Sequence, residues 1–238
     1  MSGSGWLALV STPIGNLEDI TLRALRTLKE ADLVAAEDTR KTRKLCSHYD
    51  IDTDLTSYHA HNEYQKTSGL LDRVEDGAGV AVVSNAGTPA VSDPGYLVVQ
   101  KALERGIEPR VIPGPSAVTF AVPACGLPVD TFTFLGFPPR KQGKRRNFFR
   151  GLRGREMTYF LLVSVHRISD VLVDASEMLG PRTEMALVRE ATKIHEEVIR
   201  GTAEDLVRED REREEWKGEF ILAIDARTSR APAGPDGG

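Results

Sequence analysis

The residues best equipped for chemistry lie in short runs that each follow an apolar stretch. The longest is Ser84-Asn85-Ala86-Gly87-Thr88-Pro89-Ala90-Val91-Ser92-Asp93-Pro94-Gly95, after Val80-Ala81-Val82-Val83. Its small residues offer a ligand backbone N–H and C=O groups instead of bulky side chains. Thr12-Pro13-Ile14-Gly15-Asn16, Glu37-Asp38-Thr39-Arg40-Lys41-Thr42-Arg43, Pro113-Gly114-Pro115-Ser116-Ala117, Phe137-Pro138-Pro139-Arg140 and Arg189-Glu190-Ala191-Thr192-Lys193 repeat this mixture of small and charged residues. Open α/β sheets bind ligands at the carboxyl ends of their strands. These runs therefore predict a composite small-molecule site in a cleft between two domains. No Gly-x-Gly-x-x-Gly fingerprint, P-loop or His-Glu-x-x-His occurs, and no Ser or Cys sits in a nucleophile elbow. That disfavours hydrolases and nucleotidases. Cys46 and Cys125 match no metal spacing, so no metal centre is expected.

The elements that must position these runs alternate. Strands are predicted over residues 6–11, 33–36, 55–58, 80–83 and 111–112, with helices between them. Thr21 caps a helix whose Leu22, Leu25 and Leu28 share one face. Ser92 or Asp93 caps the helix after the long loop, with Pro94 at its first position. Such alternation predicts an α/β domain with a largely parallel sheet. Ser116 then caps an apolar helix, and further strands are predicted over residues 131–135, 157–163, 185–188 and 220–224. The expected organisation is a flexible leader (1–5), an N-terminal α/β domain (6–115), a C-terminal α/β domain (116–226) and a disordered tail (227–238).

The 238 residues are 40% hydrophobic and 28% charged, ordinary for a soluble globular protein. No apolar run is long enough to span a bilayer, and the first five residues lack the features of a signal peptide. With two cysteines outside any disulfide framework, a cytoplasmic location and no membrane partner are expected. The net charge of −4 hides segregation: residues 140–155 contain eight Lys or Arg and no acid. Binding follows the local patch, so a polyanionic partner remains open. The acidic run over residues 209–215 reads as a solvated helix.

Six motifs in one order carry a specific resemblance: Thr12-Pro13-Ile14-Gly15-Asn16-Leu17, Glu37-Asp38-Thr39-Arg40, Ala86-Gly87-Thr88-Pro89, Ser92-Asp93-Pro94-Gly95, Pro113-Gly114-Pro115-Ser116-Ala117 and Lys193-Ile194-His195-Glu196. Over about residues 6–225 the chain resembles the ribosomal RNA small subunit methyltransferase I family, a branch of the tetrapyrrole methylase superfamily. The resemblance implies two α/β domains of tetrapyrrole methylase type with S-adenosylmethionine in the cleft between them. It also implies 2′-O-methylation of a cytidine ribose in the decoding region of 16S ribosomal RNA, in the small ribosomal subunit, by a homodimer.

Carried onto this sequence, the resemblance puts Pro13, Gly15, Asn85, Gly87, Thr88, Ser92, Ser116 and Ala117 at the cofactor. Leu162 and Glu190 or Ala191 would close its adenosine side. Methyl transfer to a weakly acidic hydroxyl needs alignment and is helped by a base or a cation. Glu37 and Asp38 are candidates for base or ribose orientation, with Arg40 and Lys41 beside them for phosphate, and Lys193 and His195 compete from the second domain. Glu37 and Asp38 equally fit an ordinary helix N-terminal pair. Arg140, Lys141, Lys144, Arg145 and Arg146 are assigned to RNA phosphates, with Arg150, Arg153 and Arg155 in the same segment, and a solvated surface helix is the alternative. Phe148 and Phe149 pack beneath that segment or stack on bases. His61, with His59, either touches substrate or simply ends a strand. The 2′-hydroxyl target selects RNA over DNA.

The chain departs from the family pattern twice. Asn85 stands where the family loop has Asp, which keeps an acceptor but removes a negative charge. Leu162-Val163-Ser164-Val165-His166-Arg167 lacks the Glu and Pro of the usual Glu-Ser-Pro-His-Arg. Two rivals stand beside this reading: a precorrin-type tetrapyrrole methyltransferase, which would not need the basic segment, and a non-catalytic RNA-binding relative.

Overall fold

The computed structural model describes residues 5–229, and the chain divides into two compact units after Ser116. In the first unit β1 (Trp6–Val10), β2 (Leu33–Ala36), β3 (Leu55–Ser57), β4 (Gly79–Val83) and β5 (Arg110–Ile112) form one sheet in the order β3-β2-β4-β1-β5. Every pairing in it is parallel. Parallel strands need covered faces, and the near-continuous apolar runs of β2 and β4 supply them. Ala8, Val10, Ala81 and Val83 pack against α1 (Leu22–Glu30) and α2 (Thr39–His48) through Ala24, Leu28, Leu45 and Cys46. Leu7, Val80 and Val82 point the other way, onto Leu70 and Leu71 of α3 (Glu63–Glu75) and Val98 of α4 (Tyr96–Glu104). The period-two alternation of strand side chains divides the two faces.

Local chemistry sets the helix starts. Thr21 caps α1 by accepting the Ala24 N–H at 3.0 Å, and Asp38 caps α2 through the Arg40 N–H at 2.9 Å. Leu22, expected on the packed face of α1, is the first residue of that helix and is 85% exposed. Neither Ser92 nor Asp93 caps α4. That helix begins after Gly95, whose φ of +135° carries the turn, and a Cβ there would sit 3.1 Å from the Ala90 nitrogen.

The second unit holds α5 (Ala117–Ala124), β6 (Phe132–Phe134), α6 (Gln142–Leu152), β7 (Thr158–Ser164), α7 (Ile168–Leu179), β8 (Glu184–Arg189), β9 (Glu197–Thr202), α8 (Ala203–Glu212) and β10 (Glu219–Asp225). Its sheet runs β6-β7-β10-β8-β9, with β6–β7 parallel and the other pairs antiparallel. Strand β9 is absent from the sequence reading, because Glu197-Val198-Ile199-Arg200-Gly201-Thr202 is a half-buried edge strand with little apolar signal. Leu161, Leu187 and Leu222 face α6, α7 and α8, while Phe160, Ala186 and Ala223 face α5. Thr202 and Asp205 form a capping box that starts α8, which ends at Glu212, inside the acidic run expected to be helical.

Gly5, expected in the leader, and residues 227–229, expected in the tail, are part of the described structure. Gly5 is closely packed, and a Cβ there would collide with the Val74 carbonyl. The 3-10 turn Ala226–Thr228 closes the described chain; Arg227 pairs with Asp225, and the Ser229 hydroxyl accepts the Gly154 N–H at 2.8 Å. The remaining expectations for residues 1–4 and 230–238 lie outside the described residues. No helix among the described residues is long and apolar enough to cross a membrane. Cys46 and Cys125 are buried free thiols.

Candidate active site

In the first unit, parallel strands bring Thr12, Glu37, His59 and Asn85 to the same, carboxyl-terminal edge of the sheet. There the 84–95 loop is pinned from two neighbouring strands. Thr12 and Gly87 exchange backbone hydrogen bonds, each 2.9 Å, and Ser11 Oγ lies 3.1 Å from Thr88 Oγ1. From β2, Glu37 Oε2 accepts the Asn85 N–H at 3.0 Å. Gly87 has a φ of +74°, and a Cβ on it would lie 3.4 Å from Ile14 Cγ2. The Pro13–Gly15 turn and the loop are thus in close contact.

Backbone strain concentrates in two of the predicted runs. Ala90 and Ser92 have φ of 68° and 64°, and Glu190 and Thr192 have φ of 50° and 66°. Non-glycine residues in this region cost on the order of 1–3 kcal/mol each and persist where surrounding structure holds them. Asn85 adds a further signal: its Oδ1 is shielded from solvent and accepts no hydrogen bond. A buried acceptor of this kind favours a ligand that brings a donor.

The two carboxylates ending β2 separate in role. Asp38 is the N-cap of α2, and hydrogen bonds from the Arg40 side chain and backbone hold its carboxyl at about 2. So acidic a group is a poor proton acceptor near neutral pH, which corrects its candidacy as a base. Arg40 and Lys41 are exposed at the start of α2.

In the second unit Lys193 donates to Glu190 Oε1 at 2.8 Å and to Glu219 Oε2 at 3.1 Å. Burial lowers the Lys193 pKa, but its two carboxylate partners outweigh that and raise it. Held protonated, Lys193 is a cation and not a base, which corrects that part of its assignment. Burial likewise raises Glu190, while the bonds from Lys193 and the Glu219 N–H bring the net result below the ordinary value. Ala191 and Leu162 are half-buried, and both pack on the α5 face of the sheet. His195 is exposed. Ser116 ends the first unit, and Ala117 opens α5.

The basic segment spans α6 and its two flanks and divides by face. Arg140, Lys141 and Lys144 are exposed, and no carboxylate among the described residues pairs with them. Arg145 is 2% exposed: its Nε donates to Asp174 Oδ2 at 2.7 Å and its Nη1 to the Arg140 carbonyl at 3.1 Å. A guanidinium consumed in this way is unavailable to RNA, which corrects its assignment. Arg146 is shared between Asp174 and Glu177. Phe149 is fully buried and Phe148 partly so. Sequence reasoning missed Asp174, the carboxylate that engages Arg145 and Arg146; its place in the helix after β7 was the available signal.

Comparison with known proteins follows the same geometry. The family model for Tetrapyrrole (Corrin/Porphyrin) Methylases matches residues 7–207. A protein of Halalkalibacterium halodurans named Ribosomal RNA small subunit methyltransferase I is 48% identical over 93% of this chain and 76% of its own length. A protein of the same name from Escherichia coli O157:H7 is 40% identical over 96% of this chain and 80% of its own. Among solved structures, uroporphyrin-III C-methyl transferase from Thermus thermophilus, complexed with S-adenyl homocysteine, superposes with a TM-score of 0.64 at 20% identity. The alignment covers 93% of this chain and 98% of that one, a likeness of fold. With the strand-end loops in place and these matches spanning most of its length, the chain belongs to the tetrapyrrole methylase family and, within it, to the ribosomal RNA small subunit methyltransferase I family.

Proposed function

We propose that the chain methylates the ribose 2′-oxygen of a cytidine in the decoding region of 16S ribosomal RNA, with S-adenosylmethionine as donor. The observation that carries the reading is the 84–95 loop, pinned by Thr12 and Glu37 at the carboxyl edge of a parallel sheet. The orphaned Asn85 Oδ1 fits a cofactor that brings an amino or ammonium donor. Pro13, Gly15, Gly87, Thr88 and Ser92 would line the same loop system. When bound, S-adenosylmethionine supplies a methyl group already activated by its sulfonium. The protein's share is then chiefly alignment, which contributes about 7–11 kcal/mol in favourable cases. Glu37 holds the loop, and the exposed Lys41 offers a cation for substrate phosphate, beside Arg40, whose guanidinium is paired with Asp38. The exposed Arg140, Lys141 and Lys144 favour a polyanionic substrate over a tetrapyrrole. Action in the cytoplasm, as a homodimer on the small subunit, belongs to the same reading.

The test is methyl transfer from labelled cofactor to small ribosomal subunits, followed by mapping of the modified nucleotide. Label on a single ribose of a cytidine is expected. Label on a base, or cofactor binding without transfer, would overturn the assignment.

A further inference from the structure

Lys66 reaches from α3 to the carboxyl end of the edge strand β3. Its ammonium donates to Thr56 Oγ1 at 2.9 Å and to Ser57 Oγ at 3.0 Å. Both acceptors are neutral, and among the described residues no carboxylate forms an ion pair with Lys66; Glu63, the neighbouring acid that opens α3, also stays apart. An ammonium has three donors, so one N–H and a full positive charge are left over.

The surrounding groups lean the same way. Asn62 Oδ1 accepts the His59 N–H at 2.8 Å, which sets the amide's orientation. Its Nδ2 therefore faces Ser57 Oγ and His59 Nε2, each at 3.2 Å. An NH2 group opposite Nε2 makes that nitrogen the acceptor, so the neutral ring carries its proton on Nδ1. Nδ1 has no partner within the described structure. The exposed ring of His61 stands edge-on to His59 at 6.0 Å.

Donors and positive charge outnumber acceptors here, at the same sheet edge as the 84–95 loop. Strand β3 neighbours β2, which leads into exposed Arg40 and Lys41. We propose that Lys66, oriented by Thr56 and Ser57, binds a backbone phosphate of the RNA substrate beside the β2 loop. Charge-assisted bonds from an ammonium already oriented by two hydroxyls suit a phosphate oxygen. The proposal rests on the ribosomal RNA reading above.

Its test is the salt dependence of binding to small ribosomal subunits, with cofactor binding followed by calorimetry. Lys66→Met is expected to weaken subunit binding about three- to tenfold and to lower the slope of log affinity against log salt by about one. Lys66→Arg should keep the wild-type slope, and neither change should move cofactor affinity. A role confined to packing would lower thermal stability and leave the slope intact, which would overturn the site. If the Met variant does not fold, Lys66→Gln keeps hydrogen bonding without the charge, and the same slope loss is expected. Wild-type chain that fails to bind subunits would defeat the ribosomal RNA reading; wild-type binding with an unchanged slope in the variant would defeat the phosphate site alone.

Discussion

Of the two adjacent carboxylates at the end of β2, Asp38 turns back onto its own helix, and Glu37 reaches across to the Asn85 N–H. Both are carboxylates at adjacent positions, so only the position of the N–H donors separates their roles. A hydrogen bond to a charged group is worth about 1.5–3 kcal/mol. Glu37→Ala is therefore expected to raise the dissociation constant for S-adenosylmethionine by about tenfold or more. Glu37→Gln retains an acceptor and should stay within about threefold of wild type, as calorimetric titration would measure. Tight binding with transfer abolished in Glu37→Gln would instead make Glu37 a proton acceptor.

At the scale of elements, α6 is fastened to α7 by a buried charge cluster. Arg145 and Arg146 share the Asp174 carboxylate, which is 1% exposed, and Asp170 lies 3.3 Å from Arg145. Removing one member of a buried pair leaves its partner's charge uncompensated, at a cost of about 3–5 kcal/mol. Asp174→Ala is expected to lose about that much in denaturant unfolding, which would free Arg145 from the position that excludes it from RNA. The cluster also shows why a run of cations is a poor guide to which of them face solvent. Arg145 and Lys144 are neighbours in sequence, but the helix turns one inward and the other outward.

At the scale of the molecule, electrostatics divides by surface, against a net charge of −4. Arg140, Lys141 and Lys144 stand exposed with no acid in the segment to neutralise them. Replacing all three by Ala should lower the salt slope for small-subunit binding by about two to three, since each phosphate contact contributes about 0.7–0.9. Each surface change should shift unfolding stability by no more than about 0.5 kcal/mol. An unchanged slope would remove the Arg140–Lys144 stretch from the RNA-binding surface.

The strand–loop–helix order of the first unit was legible in the sequence because apolar runs, caps and Gly/Pro loops are local signals that report local geometry. The six ordered motifs were likewise legible, and they carried the family. Which side chains meet was not. The Glu37–Asn85 bond joins residues 48 positions apart, and the Arg145–Asp174 pair spans 29. Strand β9, the antiparallel order of the second sheet, the start of α4 at Gly95 and the burial of Arg145 depend on the same long-range pairing. Local propensity chooses helix or strand, but partners far along the chain decide which charges are spent on the fold and which are left for a ligand.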